Sequence, residues 1–262
     1  MATLAGSEVH YTKKIYFVSD AHLGTPNPAE SRIREKLLVQ WLDEIKNSAE
    51  EIYILGDLFD FWFEYDAVIP KGFSRILGKL AELTDSGISI HFFTGNHDLW
   101  MNNYFEDELQ IAVYHEPVVK TIRGKLFYLA HGDGLGPGDY GHKFLKIIFR
   151  NPLCRWLFKW IHPDIGVPMA HYWSRRSRYV SAGGQIEPFQ GEERERLICY
   201  SQKLLESRHY DFLVFGHRHL PLDISINQKS RFINLGDWIT FYTYAEFDGQ
   251  HFAIKHYSQP PR

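Results

Sequence analysis

Short apolar runs alternate with amphipathic stretches through the first third of the chain. Ile15 to Ser19 is brief and almost wholly apolar, the signature of a buried strand. From Glu30 to Lys46 the apolar positions Ile33, Leu37, Leu38, Trp41, Leu42 and Ile45 recur at the spacing of about 3.6 residues that puts them on one helix face. Ile52 to Leu55 reads as a second strand, Phe73 to Leu83 as a helix closed by Gly87, and Ile88 to Phe93 as a third strand. This order predicts a parallel sheet with right-handed crossovers. Further on, Val118 to Ile122 and Lys125 to Ala130 flank Arg123-Gly124, a loop of hairpin length. Glu192 to Leu205 is helical in pattern and Phe212 to Phe215 is another strand. Leu222 to His256 alternates and breaks at Asn227-Gln228 and Asp248-Gly249, which predicts antiparallel strands.

One stretch interrupts this order. Asp139 to Pro188 lacks strand alternation, is rich in Trp and Arg, and contains Pro152, Pro163 and Pro168. It reads as a helical cap inserted at about 139–188 into a single α/β domain spanning 1–262. With 262 residues, 44% of them apolar, the chain is long enough to bury a core. The formal net charge of −3 gives no sign of a nucleic-acid partner. The cap is the exception. Between Asp139 and Val180, Lys143, Lys146, Arg150, Arg155, Lys159, Arg175, Arg176 and Arg178 are opposed only by Asp139 and Asp164, so that stretch is +6 while the rest of the chain is −9. Cys154 and Cys199 are the only cysteines, which excludes a disulfide framework and fits a reducing cytoplasm. Met1 to Lys14 has no apolar segment of signal-peptide length, and no run is apolar enough to cross a membrane.

The chemistry lies just after the apolar strands, at the carboxyl ends where open α/β sheets place their ligand sites. Ser-Asp-Ala-His supplies Asp20 and His22, whose spacing of two on an extended segment points both side chains one way. Leu-Gly-Asp-Leu-Phe-Asp supplies Asp57, Gly-Asn-His-Asp supplies Asn96, His97 and Asp98, Ala-His-Gly-Asp-Gly supplies His131, and Gly-His-Arg-His supplies His217 and His219. Gly56, Gly95, Gly132 and Gly216 permit sharp exits and close backbone approach beside such a site. An Asp-x-His pair alone is usually a solvated pair or a cap, and Gly-Asp an ordinary turn. Five such motifs, each at a strand end, are a metal site. Carboxylate, amide and imidazole donors suit manganese, iron or zinc better than calcium. Two such ions lie ~3.5–4 Å apart and clamp a phosphoryl group between them.

In this order and spacing the motifs resemble those of the calcineurin-like metallophosphoesterases, and the resemblance spans nearly the whole chain. It implies a four-layer α/β/β/α fold, two mixed sheets flanked by helices. It implies that Asp20, His22 and His219 hold one divalent ion, that Asn96, His131 and His217 hold a second, and that Asp57 bridges them. A hydroxide between the ions then attacks phosphorus. His97 binds the phosphoryl group or protonates the leaving oxygen, oriented by Asp98 through a hydrogen bond. Manganese is the first expectation for the metal, with iron, zinc or magnesium as alternatives.

The segment around Asp57, the His-Gly-Asp-Gly-Leu run and the insertion after Asp139 are similar to one branch of that family. Its members split the pyrophosphate of UDP-2,3-diacylglucosamine into UMP and the acylated sugar 1-phosphate during lipid A biosynthesis, at the cytoplasmic face of the inner membrane. The resemblance places Asp139, Ser174 and Arg178 at substrate contacts, while Arg175, Arg176 and Arg178 suit bidentate pairing with a diphosphate and equally form a solvated helix edge. Lys143, Lys146 and Arg150 share one helical face beside apolar neighbours, and Arg155 and Lys159 recur among Trp156, Leu157, Phe158 and Trp160. Basic, aromatic-rich segments of this kind read as interfacial anchors or as the walls of an acyl pocket, and equally as a core helix with a solvated edge. One position departs from the branch: His97 stands where its proteobacterial members carry Arg. The alternatives are therefore a phosphoesterase of the same fold acting on another nucleotide-linked substrate, and an inactive scaffold. The presence of all seven ligands argues against the scaffold.

Overall fold

The computed structural model describes residues 12–138, 140–182 and 187–258, with the side chains of 140–142, 144–145 and 175–182 outside that description. The chain opens β1 (Lys14–Val18), α1 (Pro28–Ile45), β2 (Ala49–Leu55), α2 (Ser74–Asp85), β3 (Ser89–Phe93), α3 (Tyr104–Asp107), β4 (Ala112–Tyr114). Strands β1 to β3 pair in parallel as the alternation predicts, and β4, which was not anticipated, joins β3 in parallel at the edge. Helix α1 starts where its sequence permits. Pro28 occupies the first turn, where a missing N–H costs nothing, and the Asn27 side chain accepts the amides of Ala29 and Glu30, each at 3.0 Å.

The hairpin follows as β5 (Val118–Ile122) and β6 (Lys125–Ala130), turned by Arg123 and Gly124, both with positive φ (49° and 78°), the geometry that suits a two-residue turn to strand twist. The insertion is helical, as expected: α4 (Tyr140–Arg150), α5 (Pro152–Lys159) and α6 (Pro163–Ala182). Then come α7 (Arg196–Ser207), β7 (Phe212–Phe215), β8 (Pro221–Asn227), β9 (Ser230–Leu235), β10 (Thr243–Phe247) and β11 (Phe252–His256). No helix among the described residues is long and apolar enough to cross a membrane.

Two mixed sheets result, ordered β11-β10-β1-β2-β3-β4 and β5-β6-β7-β9-β8. Their inner faces meet through Ile15, Phe17, Tyr53, Leu55 and Phe93 on one side and Phe127, Leu129, Phe212, Val214 and Ile233 on the other. Helices α1 and α2 cover the outer face of the first sheet through Leu38, Trp41, Leu42, Ile76 and Leu80, and α7 covers the second through Leu197 and Ile198. The four layers are those expected. The C-terminal strands need one correction. Pairs β8–β9 and β10–β11 are antiparallel hairpins, but β9 runs parallel to β7, while β10 crosses back to pair with β1. Alternation reports that one strand face is buried, not which sheet buries it.

Candidate metal centre

Every motif sits at the carboxyl end of a parallel strand: Asp20 and His22 after β1, Asp57 after β2, Asn96 to Asp98 after β3, His131 after β6, His217 and His219 after β7. The loops after β1 and β2 continue as a short ladder, with Asp20 N to Gly56 O at 3.1 Å and His22 N to Asp57 O at 2.9 Å. Two glycines permit close approaches to motif carboxylates. A Cβ on Gly95 would overlap Asp57 Oδ1, and one on Gly216 would stand 2.6 Å from Asp20 Oδ2.

The way the side chains converge was not expected. Asp20, His22, Asp57, His217 and His219 all have left-handed backbones, with φ of 55°, 41°, 53°, 65° and 59°. The two Asp/His-x-His pairs therefore meet through tight turns rather than through an extended pleat. Each such residue costs about 1–3 kcal/mol, and it persists only where its surroundings over-determine it. Arg34 of α1 is one such support. It is buried, and it donates to the carbonyls of Ala21 and His22, each at 2.8 Å, and to that of Thr25.

Ligand-type atoms of Asp20, His22 and His219 lie within 4.8 Å of one another, as do those of Asp57, His131 and His217. Asp57 is a member of the second group, and His22, Asp60 and His97 form a third within the same distance. Their protonation geometry asks for a cation. His131 Nδ1 lies 2.7 Å from the Leu55 carbonyl, which only accepts, so Nδ1 carries the hydrogen and Nε2 presents a lone pair to Asp57 Oδ2 at 3.3 Å. His219 Nδ1 is likewise held by Asp237 Oδ2 at 3.2 Å, which turns Nε2 toward Asp20 Oδ1 at 3.4 Å and His22 Nε2 at 3.3 Å. Asp20 Oδ1, Asn96 Oδ1 and His131 Nε2 are buried with no hydrogen-bond partner. Lone pairs facing lone pairs away from water are repulsive unless a positive charge lies among them. In the protein alone, protons partly do this. Burial opposes charge on Asp57, Asp20 and His131, yet His131 draws the Asp57 carboxyl below its ordinary value, His219 and His22 do the same for Asp20, and Asp57 lifts the His131 imidazole well above its own. Divalent ions fit the same donor set.

The remaining expectations divide. His97 lies at the centre, its ring edge-on to His22 at 4.7 Å between centroids. Asp98 does not orient it. Its carboxylate accepts Gly95 N at 2.7 Å, Leu58 N at 2.9 Å and Phe59 N at 3.4 Å, so it braces the backbone of two motif loops instead. Burial and the neighbouring Asp57 push its carboxyl up to about 7, against the pull of those amides. His97 Nδ1 is held by the carbonyl of Asp60 at 3.0 Å and by Ser174 Oγ at 3.0 Å. Ser174 thus reaches the centre through His97 and Asp60. Asp139 lies outside the described residues, as do the side chains of Arg175 and Arg178.

Sequence reading missed three residues here. Asp60, in the same Gly-Asp-Leu-Phe-Asp run as Asp57, is 1% exposed and sits 3.8 Å from both His22 Nδ1 and His97 Nδ1. Asp237 backs His219 and caps the amides of Ile239, Thr240 and Phe241; its Leu-Gly-Asp repeats the tripeptide at Leu55 to Asp57, a signal that was available. His171 of α6 reaches Asp60 Oδ2 at 3.2 Å, and no local motif announces it.

Five of the cap's cations turn onto the body rather than toward solvent or a ligand. Lys143 donates to Gly136 O, Lys146 pairs with Asp133, Arg150 with Glu116, Arg155 with Asn102, and Lys159 with Asp66. These five cations clamp the cap to the body. Phe149 and Phe158 also turn inward, onto Phe61, Phe63 and Trp100. Among the described residues of α4 to α6, large apolar side chains face solvent: Ile147 is 69% exposed and Trp160 75%, with Leu153, Trp156, Leu157 and Trp173 also exposed.

A family model, calcineurin-like phosphoesterase, matches residues 13–221. The chain belongs to that family, one of metal-dependent hydrolases. It is similar to the UDP-2,3-diacylglucosamine hydrolase of Porphyromonas gingivalis, 41% identical over 90% of this chain and 94% of that protein. It is also similar to the protein of the same name from Pseudomonas putida, at 30% identity over 86% and 90% of the two chains. Among solved structures, Vps29 of Entamoeba histolytica overlaps 92% of this chain and 89% of its own at 15% identity and a TM-score of 0.42. For this phosphoesterase, the family's metal chemistry and the donor set described above agree on divalent ions.

Proposed function

We propose that this phosphoesterase hydrolyses the pyrophosphate of UDP-2,3-diacylglucosamine, releasing UMP and 2,3-diacylglucosamine 1-phosphate. The observation that carries the reading is the P. gingivalis relative of that name, similar along almost its whole length. In this reading Asp20, His22 and His219 hold one divalent ion, Asn96, His131 and His217 hold the other, and Asp57 serves both. Manganese suits oxygen and imidazole donors without thiolate; iron, zinc and magnesium are the rivals a metal-substitution assay ranks. When bound, the ions supply Lewis acidity and a nucleophile near neutral pH.

The protein's own groups do the rest. Asp237 and the Leu55 carbonyl fix the tautomers of His219 and His131, so their Nε2 atoms face inward. With Nδ1 of His97 engaged, its Nε2 is the atom that meets the phosphoryl group or the leaving oxygen. The exposed aromatic side chains of the cap, Trp156, Trp160 and Trp173, rest on the cytoplasmic face of the membrane that holds the substrate; aromatic side chains favour that boundary. The partner there is a glycolipid bilayer and not a nucleic acid.

The test is to incubate the purified protein with manganese and UDP-2,3-diacylglucosamine and assay UMP. Release that stops with chelator and returns with metal supports the reading. Absence of UMP from a preparation that still cleaves bis(p-nitrophenyl) phosphate favours the other reading, a phosphodiesterase for a different nucleotide-linked substrate.

A further inference from the structure

Two side chains of the cap reach past the metal centre's rim to one buried carboxylate. Ser174 Oγ donates to Asp60 Oδ1 at 2.9 Å and lies 3.0 Å from His97 Nδ1; His171 Nδ1 lies 3.2 Å from Asp60 Oδ2. Residues 171 and 174 are three apart on α6, so they share one helix face. The proton count orders the contacts. The Asp60 carbonyl only accepts, so His97 Nδ1 carries a hydrogen. Ser174 has one proton, given to Asp60 Oδ1, and its oxygen accepts from His97. His171 gives its Nδ1 hydrogen to Oδ2. The chain runs from His97 through Ser174 to Asp60, with His171 closing the far side.

The contact is built to be specific. The cap is fastened over it by Trp100 Nε1 donating to the Phe149 carbonyl at 2.6 Å, by Tyr65 Oη donating to the Ile161 carbonyl at 3.3 Å, and by Phe158 packed on Phe61 and Phe63. His171 fits against Gly24, where an added Cβ would stand 3.1 Å from its Cε1, and edge-on to Phe61. A carboxylate that is 1% exposed needs donors, and the cap supplies two of them.

We infer that Ser174 and His171 are positioning residues: through Asp60 they fix the ring of His97, so the orientation of that catalytic residue is set by the docked cap. The inference rests on His97 facing the phosphoryl group, and it concerns the site whatever the leaving group is. It also separates two roles for Ser174. A residue that only touches the lipid substrate matters only for that substrate. A residue that sets His97 matters for every phosphodiester.

The experiment uses the full metal-loaded chain and bis(p-nitrophenyl) phosphate, which has no acyl chains or uridine to meet the cap. Ser174→Ala is expected to lower kcat about tenfold with KM little changed, the mark of a catalytic group out of place, while Ser174→Thr, which keeps the hydroxyl, restores most of the rate. His171→Gln is expected to produce a smaller loss in the same parameter. The second readout is the ¹⁵N imidazole spectrum of zinc-loaded protein. Ser174→Ala should move the His97 Nδ1 resonance and leave that of His131 in place. A Ser174→Ala variant with normal turnover of the small diester, or an unmoved His97 resonance, overturns the inference. Loss of UMP release alone, with the small diester unaffected, reduces Ser174 to a substrate contact and overturns it equally.

Discussion

Two polar clusters share this sandwich, built from the same residue types and opposite in their hydrogen-bond balance. Glu51, Tyr53, His91, Tyr114 and Lys120 form one. Glu51 Oε2 accepts from Tyr53 Oη at 2.6 Å, His91 Nε2 at 3.0 Å and Lys120 Nζ at 3.1 Å, and Tyr114 Oη stands 3.3 Å from His91 Nδ1. Lys120 Nζ also stands 3.0 Å from His91 Nε2, and none of these five residues leaves a buried polar atom without a hydrogen-bond partner. The metal centre has the same carboxylates and imidazoles but a surplus of lone pairs, with Asp20 Oδ1, Asn96 Oδ1 and His131 Nε2 unanswered. Its backbone differs too, since five of its seven expected ligands are left-handed and no residue of the first cluster is. A histidine beside a carboxylate is therefore uninformative by itself. The count of protons against lone pairs separates a structural network from a site whose donor set suits cations.

That contrast can be broken experimentally, and the largest effect is expected at its centre. Asp57→Ala should lower metal-dependent hydrolysis by at least about a thousandfold and reduce bound metal while thermal unfolding stays cooperative. Full activity in that variant would remove Asp57 from its shared role. Asp237→Asn should weaken metal binding by about 10–100-fold, read by titration calorimetry, because His219 loses the partner that fixes its tautomer. An unchanged affinity would make Asp237 merely a cap for the following turn.

The cap comes next. Replacing Trp156 and Trp160 together by Glu should reduce co-sedimentation with anionic vesicles by about tenfold, while hydrolysis of a small diester is kept. Undiminished vesicle binding would move the membrane contact elsewhere.

The smallest effect belongs to the satisfied cluster. His91, Tyr53 and Lys120 together hold the Glu51 carboxyl down to about 2 from its ordinary 4.5, although burial opposes them. A depressed carboxyl contributes stability above its unfolded value and loses it as pH falls toward the folded one. Glu51→Gln should therefore cost about 1–2 kcal/mol in urea unfolding at pH 7 and progressively less as pH falls from about 4.5 toward 2, with activity intact. Equal stabilities at neutral pH would show the network to be energetically idle.

Much of the centre was legible because it is local. Each expected ligand follows within a few residues of an apolar strand, so the strand pattern places it at the strand's carboxyl end, and the small set of parallel topologies brings those ends together. Asp237 was legible in principle, since Gly236-Asp237 follows β9 as Gly56-Asp57 follows β2. Asp98 was misread because Gly-Asn-His-Asp places it next to His97, whereas the loop turns it into the amides of Gly95, Leu58 and Phe59.

What the sequence determined by itself was the inventory and the layers: which strands and helices form, which family the motifs belong to, and which side chains stand at strand ends. Those properties depend on periodicity and on neighbours a few residues away. Only the tertiary structure decided which atoms face one another. It returned β10 to the first sheet, bent five ligand residues into left-handed turns, turned five cap cations onto the body, and brought His171 and Ser174 to Asp60 across more than a hundred residues. Such contacts arise from packing between distant segments, and the spacing of residues along a chain carries no record of them.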